Sequence, residues 1–134
     1  WPHRVGSDTP CMALMTGDAF HGERFLRLHA REPEALTGLF LRTTAPQHDA
    51  ATPYVLSFYA RAAGPNPAQV QVKAYGRTQP ALTVESGEWQ RQVVQLEVPA
   101  HAERHSFGLI YSGDPVDIDA VQYEQGFEAT EFQP

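Results

Sequence analysis

Short runs of alternating apolar and polar residues, separated by turn-forming Pro and Gly, constrain this chain more than any other feature. The clearest run spans residues 54–61; it follows Pro53 and ends before the Gly-Pro-Asn-Pro turn at 64–67. Because successive side chains of a β-strand point to opposite faces, this run predicts a strand with one apolar face. The strand would direct Tyr54, Leu56, Phe58 and Ala60 inward and Ser57, Tyr59 and Arg61 outward.

Comparable runs recur at residues 24–28, 35–43, 68–75, 89–98, 106–111 and 116–123. In the run at 89–98 we expect the inward residues to be Val94, Leu96 and Val98. No segment has a sustained helical period, apart from one turn near 99–103. Roughly seven or eight short strands at this spacing favour an all-β fold, an antiparallel β-sandwich of the jelly-roll type. A length of 134 residues suits a single domain, 1–134.

Composition narrows the classes of partner. The formal net charge is −6 with no block of like charges, so the surface would repel a nucleic-acid backbone. No apolar stretch approaches the ~20 residues of a membrane helix, and we expect no membrane partner. The single Cys11 excludes an internal disulfide and favours a buried, inert thiol. A start at Trp1 without Met suggests a module cut from a larger multidomain protein.

Patterns typical of enzymes are missing from the sequence. Neither a Gly-x-Ser-x-Gly nucleophile motif nor a Gly-rich phosphate loop occurs. Two carboxylate pairs, Asp117 with Asp119 and Glu124 with Glu128, have the residue types of a glycosidase. Residues two apart on a strand share a face but lie only ~7 Å apart, and nothing predicts a cleft between them. We therefore expect a non-catalytic module.

Two places in the sequence have side chains suited to a metal ion. His101 and His105 are four residues apart and would share one face of a helix. Pro99 precedes them and a strand follows, so a solvated loop is the favoured interpretation. Asp119 is a candidate ligand for a hard cation such as Ca²⁺, which takes carboxylate and carbonyl oxygens. The alternative for Asp119 is an ordinary turn or edge aspartate.

Sugar binding requires aromatic rings that stack on pyranose faces and planar polar side chains that bond hydroxyl groups. Such residues occupy the outward positions of three predicted strands, and they would form one platform if these strands were neighbours. An ordinary solvated sheet face explains the same pattern equally well. The outward residues are Tyr59, Arg61, Gln69, Gln71, Lys73, Tyr75, Trp89 and Arg91.

Three stretches together resemble a known family. Residues 18–28 contain Gly22 followed by the strand-like Arg-Phe-Leu-Arg-Leu, and residues 53–62 read Pro-Tyr-Val-Leu-Ser-Phe-Tyr-Ala-Arg-Ala. The third, Gly-Glu-Trp-Gln-Arg at 87–91, leads to the ending Ile-Asp-Ala-Val-Gln-Tyr-Glu-Gln-Gly-Phe-Glu-Ala-Thr-Glu-Phe at 118–132. In this order they resemble the jelly-roll carbohydrate-binding modules of the family 4/9/22 type, which accompany bacterial polysaccharide-degrading enzymes.

The resemblance implies a structural calcium ion near Asp119, helped by groups at 21–23. The family's first strand usually carries an acidic ligand ahead of a Trp such as Trp1, and that strand is missing or cropped here. The family's glycan sites vary between a sheet face and the loops at one end. The resemblance also implies a secreted or cell-surface bacterial protein.

The resulting hypothesis is a β-sandwich that binds polysaccharide without cleaving it and brings a catalytic domain of the same polypeptide, a glycoside hydrolase or lyase, to its substrate. The alternative is a structural spacer between domains, with no soluble ligand. Tyr59 and Tyr75 are the first candidates for stacking on sugar rings. The candidates for hydrogen bonding are Arg61, Gln71 and Lys73, with Trp89 and Arg91 behind them.

Overall fold

A computed structural model describes residues 3–5, 12–28, 37–44, 47–75, 77–102, 104–113 and 115–132. Within these ranges the chain forms strands and turns only, and no helix is long and apolar enough to cross a membrane. The strands are β1 (His3–Val5), β2 (Met12–Thr16), β3 (Arg24–Leu28), β4 (Thr37–Thr44), β5 (Thr52–Ala62), β6 (Ala68–Ala74), β7 (Arg77–Thr78), β8 (Leu82–Val84), β9 (Gln90–Val98), β10 (Arg104–Gly113) and β11 (Val116–Gln125).

These strands form two sheets. Sheet A has the order β1-β4-β10-β6-β7, with β8 also pairing with β6, and sheet B has the order β2-β3-β11-β5-β9. Every pairing between these strands is antiparallel. Sequence neighbours such as β5 and β6 lie in different sheets, so the chain crosses between the layers. The predicted antiparallel β-sandwich is confirmed.

The core lies between the two sheets and follows the predicted alternation. On β5, the side chains of Leu56, Phe58 and Ala60 are fully buried. Val70 and Val72 of β6 meet them from sheet A. Burying one such side chain contributes about 1.5–3 kcal/mol, so this shared apolar layer holds the sheets together. The inward register predicted for β9 is also correct, with buried side chains at Val94, Leu96 and Val98.

One irregularity in β11 bears on the site described below. The pairing of β11 with β5 shifts register between Asp119 and Gln122, and Ala120 there has a φ of 53°. A positive φ is unfavourable for Ala, because its Cβ crowds the backbone. The Asp119 carboxylate compensates by accepting the Ala120 N–H at 2.8 Å. Of the predicted features, Cys11 lies outside the described residues.

Candidate functional site

The outer face of sheet B, where Tyr59 and Arg91 were predicted to meet a sugar, is covered by other parts of the chain. The ring of Tyr59 stacks on Phe20, with centroids 3.5 Å apart. Arg91 donates to the Ser57 hydroxyl at 3.1 Å and to the backbone carbonyl of Thr130. We call residues 126–132, which follow β11, the tail segment. Tyr59 and Arg91 are therefore partly buried beneath it and the loop at 17–23.

At the other end of this face, a fully buried carboxylate joins two arginines. Asp117 accepts two bonds from Arg27, at 2.7 and 3.1 Å, and one from Arg61 at 2.9 Å. The hydrogen bonds to Asp117 raise the pKa of Arg27. Arg61 also donates to Asp18 at 2.8 Å, but the Asp18 side chain is 89% exposed. Because Asp117 is buried and held by two cations, it is not suited to acid or base catalysis.

Trp89 belongs to the same cluster. Its indole N–H donates to the Asp18 carbonyl at 3.1 Å, and the Arg61 guanidinium lies 4.4 Å from the centre of its ring. Phe25 contacts Trp89 edge-on, with centroids 5.5 Å apart. A cation beside aromatic rings is well stabilised. Arg61 and Trp89, both predicted to bind sugar, are therefore already engaged in contacts within the protein.

The remaining predicted residues belong to the opposite side of the molecule. Gln71 and Lys73 point outward from β6 in sheet A, where Gln71 is half-buried and Lys73 is exposed. Tyr75 follows β6 with a φ of 52°, packs against the core and hydrogen-bonds to Tyr123. The prediction of a single platform is therefore wrong, because β5 and β9 share a sheet that does not contain β6. Whether any of these residues binds sugar stays a prediction.

A cavity of about 470 Å³ opens at the side of the sandwich, where β7 at an edge of sheet A lies beside β9 at an edge of sheet B. Both apolar and polar residues line it. The lining residues are Ala51, Pro53, Tyr54, Arg77, Gln79, Gln95, Leu96, Glu97, Gly126 and Phe127.

The cavity lining combines an aromatic residue with planar polar residues, the two kinds of side chain that sugar recognition requires. Phe127 of the tail segment is 70% exposed, so its ring is accessible to a ligand. Gln95 donates to the Phe127 carbonyl at 2.8 Å, which fixes the backbone at the rim. Arg77 Nη1 lies 3.8 Å from Glu97 Oε2, so the charges of these two lining residues balance.

Sequence reasoning missed this cavity. Gln95 and Glu97 were visible as outward positions of β9, but nothing in the pattern joined them to Phe127, which follows about thirty residues later and lies outside any strand. Arg77 and Gln79 lie in and beside a two-residue strand that the sequence does not signal.

The histidine pair does not form a metal site. His101 lies in an exposed turn, whereas His105 is fully buried on β10 and its Nδ1 is 3.0 Å from the Tyr123 hydroxyl. The solvated-loop prediction is therefore wrong for His105, which the strand β10 carries into the core. Its Nε2 has no hydrogen-bond partner among the described residues. Burial lowers the pKa of His105, with a smaller contribution from nearby His48.

The surroundings of Asp119 do not fit a calcium ion. Its Oδ2 accepts the His21 backbone N–H at 2.9 Å, and its Oδ1 accepts that of Ala120. Calcium takes about six to eight oxygen ligands, while the described residues contain no group of three or more His, Cys, Asp or Glu side chains suited to a metal. In this arrangement Asp119 stabilises the bulge of β11 and the loop at 17–23 through N–H donors.

Calcium binding nevertheless stays a prediction of the resemblance, and a melting experiment tests it. We expect the melting temperature to be the same in excess calcium as in a chelator, because backbone N–H groups already occupy the Asp119 carboxylate. Differential scanning calorimetry on the two samples measures this. A clear rise with calcium, abolished by Asp119→Ala, would establish a calcium site there.

The carboxylate pair Glu124 and Glu128 is held by different parts of the chain. Glu124 points to the outer face of sheet B and accepts two hydrogen bonds from Thr130 of the tail segment, while Glu128 is exposed in that segment. These bonds, with one from Gln122, hold the pKa of Glu124 below its usual range. Glu124 therefore serves as an anchor, and the pair does not form an acid and base across a cleft.

Solved structures with a similar fold include carbohydrate-binding modules. No protein-family model matches the sequence, and no curated protein is similar to it. The xylan-binding domain CBM22-1 of Xyn10C from Paenibacillus barcinonensis has a TM-score of 0.66 at 18% identity, covering 96% of this chain and 87% of that one. TmCBM61, solved with β-1,4-galactotriose, has a TM-score of 0.59 at 12% identity, covering 94% and 88%.

A third similar structure contains a catalytic neighbour. The CBM22-1 and GH10 modules of Clostridium thermocellum endo-1,4-β-D-xylanase 10B, complexed with xylohexaose, align with a TM-score of 0.69 at 13% identity. That alignment covers 99% of this chain and 27% of the xylanase chain. The predicted jelly-roll β-sandwich of the carbohydrate-binding-module type is confirmed as the fold of this chain.

Proposed function

We propose that this chain is a non-catalytic module that binds polysaccharide and brings an attached glycoside hydrolase or lyase to its substrate. The observation that carries the proposal is the side cavity, whose lining combines the exposed Phe127 with the planar polar residues Arg77, Gln79 and Gln95. The fold supports it too, because similar structures include modules named for xylan or solved with galactotriose. Attachment to an enzyme would raise its local concentration at the substrate.

The cavity has the chemistry of a site for neutral sugar. An aromatic ring buries the apolar face of a pyranose, while amide and guanidinium groups donate to its hydroxyl groups. The balanced pair Arg77 and Glu97 offers no excess charge, and the net charge of −6 would repel an acidic polysaccharide. Secretion by a bacterium is part of the proposal, because such a substrate lies outside the cell.

Phe127→Ala is expected to lower the affinity for the bound polysaccharide about tenfold, because a stacked aromatic ring is typically a dominant contact. A panel of soluble and insoluble polysaccharides first identifies the ligand of the wild type. Affinity gel electrophoresis or calorimetry then compares the two proteins. Because Phe127 is exposed, the melting temperature should hardly change.

Two controls locate the site. Val93→Ala removes another exposed apolar side chain, one on β9 that does not line the cavity, and should leave affinity unchanged. If Gln71→Ala or Lys73→Ala loses binding while Phe127→Ala binds as the wild type does, the site lies on sheet A. Failure of the wild type to bind any polysaccharide would favour the structural spacer instead.

A further inference from the structure

The tail segment brings Phe127 to the cavity although it belongs to no strand. Thr130 attaches this segment to sheet B through three of its groups. Its backbone N–H donates to Glu124 Oε2 at 3.1 Å, its hydroxyl donates to Glu124 Oε1 at 2.5 Å, and its carbonyl accepts from Arg91. The Ala-Thr-Glu-Phe ending at 129–132 thus has a structural role here.

Glu124 is the centre of this attachment. Besides Thr130, Gln122 donates to Glu124 Oε2 at 2.8 Å. A carboxylate has two accepting oxygens, whereas an amide of the same shape has one. Glu124 itself does not line the cavity. Any effect of Glu124 on a bound sugar must therefore pass through the tail segment.

The tail segment is held near its start, around Thr130 and at its end. Near its start, Gly126 donates to the Pro53 carbonyl at 2.9 Å and Gln95 donates to the Phe127 carbonyl. Three residues beyond Phe127, Glu124 accepts two of the hydrogen bonds that hold Thr130. Without those two bonds the exposed ring would sample more orientations, and binding would have to order it at a cost in affinity.

We propose that Glu124 is a positioning residue for glycan binding, which grips Thr130 and so holds the ring of Phe127 at the side cavity. The inference rests on the proposed function. It also explains why a charged side chain on the outer face of β11 is tied to an otherwise irregular segment.

The test is Glu124→Gln, which keeps the size of the side chain and removes one accepting oxygen. We expect affinity for the polysaccharide that the wild type binds to fall about three- to tenfold, as loss of a charged hydrogen bond implies. Hydrogen exchange should speed up at amides of residues 128–132 and stay unchanged in β5. Glu128→Gln, in the same segment but exposed, is the matched control and should alter neither measurement.

A double-mutant cycle separates positioning from a general structural role. In a Phe127→Ala background, Glu124→Gln should lower affinity no further, because its effect passes through the ring. An undiminished loss in that background would overturn the proposal. If Glu124→Gln binds polysaccharide as tightly as the wild type, the positioning role is overturned and the proposed function is not. If the wild type binds no polysaccharide, the proposed function is itself overturned, and the role of Glu124 falls with it.

Discussion

Replacing Asp117 with Ala is expected to lower the free energy of unfolding by about 3 kcal/mol or more. The substitution removes a fully buried carboxylate and leaves the guanidinium groups of Arg27 and Arg61 facing each other. The Arg61 side chain is only 12% exposed, so water replaces the lost partner only in part. Urea unfolding measures the change, which corresponds to a fall of about 10 °C in melting temperature for a domain of this size.

The matched control is Asp18→Ala, which removes the other carboxylate bonded to Arg61. Asp18 is 89% exposed, so solvent screens this ion pair and the loss should stay below about 1 kcal/mol. The two substitutions thus separate burial from pairing at a single arginine. Equal effects for Asp117 and Asp18 would show that the buried cluster contributes no more than a surface ion pair.

The alternation of side chains was sufficient to predict the inner layer. On β5 it placed Leu56, Phe58 and Ala60 in the core, and it did the same for the buried valines of β6. The period of two is imposed by strand geometry, so a long strand with one apolar face is recognisable from sequence alone. Short edge strands such as β7 contain too few residues to show any period.

The same alternation could not predict what covers an outward face. Tyr59 was correctly placed outward, but its ring meets Phe20, which lies thirty-nine positions earlier in the sequence. Period two distinguishes the two faces of a strand and carries no information on whether a distant loop packs on one of them. The carboxylate of Asp119 shows the same limit, because its partner His21 is ninety-eight positions away.

The candidate site is formed by residues that are far apart in the sequence and that share no local pattern. Phe127 is an isolated aromatic residue after β11, and its place beside Arg77 follows from how the edges of the two sheets meet. The bulge at Ala120 gives no sequence signal either, because Gly or Asn would be the expected residue at a positive φ. Both features arise from packing between segments, which no single stretch of sequence encodes.

The free energy of unfolding is expected to fall as the pH is lowered, because His105 is buried where its protonated form is disfavoured. Burial lowers the pKa of His105 in the folded protein, whereas in the unfolded chain this pKa is about 6.5. Below that value the unfolded state takes up a proton that the folded state resists. The free energy of unfolding should therefore be constant from about pH 8 to 7 and decline as the pH falls below about 6.5.

The groups around His105 cannot offset the charge. Tyr123 is near its Nδ1 as a neutral hydroxyl, since burial raises the pKa of that tyrosine, and the ring of Tyr54 lies edge-on at 4.9 Å. Nearby His48 would add a second positive charge. Among the described residues no carboxylate is bonded to the imidazole. A protonated His105 would thus be an unpaired buried cation.

Urea unfolding at several pH values, with wild type, His105→Gln and His101→Gln, tests this prediction. His105→Gln removes the titrating ring, so the decline between about pH 6.5 and 5 should flatten, even though lost packing lowers stability at neutral pH. His101→Gln alters an exposed imidazole and should keep the wild-type decline. A profile for His105→Gln as steep as that of the wild type would assign the acid sensitivity elsewhere. Glu124, whose pKa is lowered by its bonds to Thr130, would not account for such a profile, because its contribution to stability is lost only below its ordinary pKa of about 4.3.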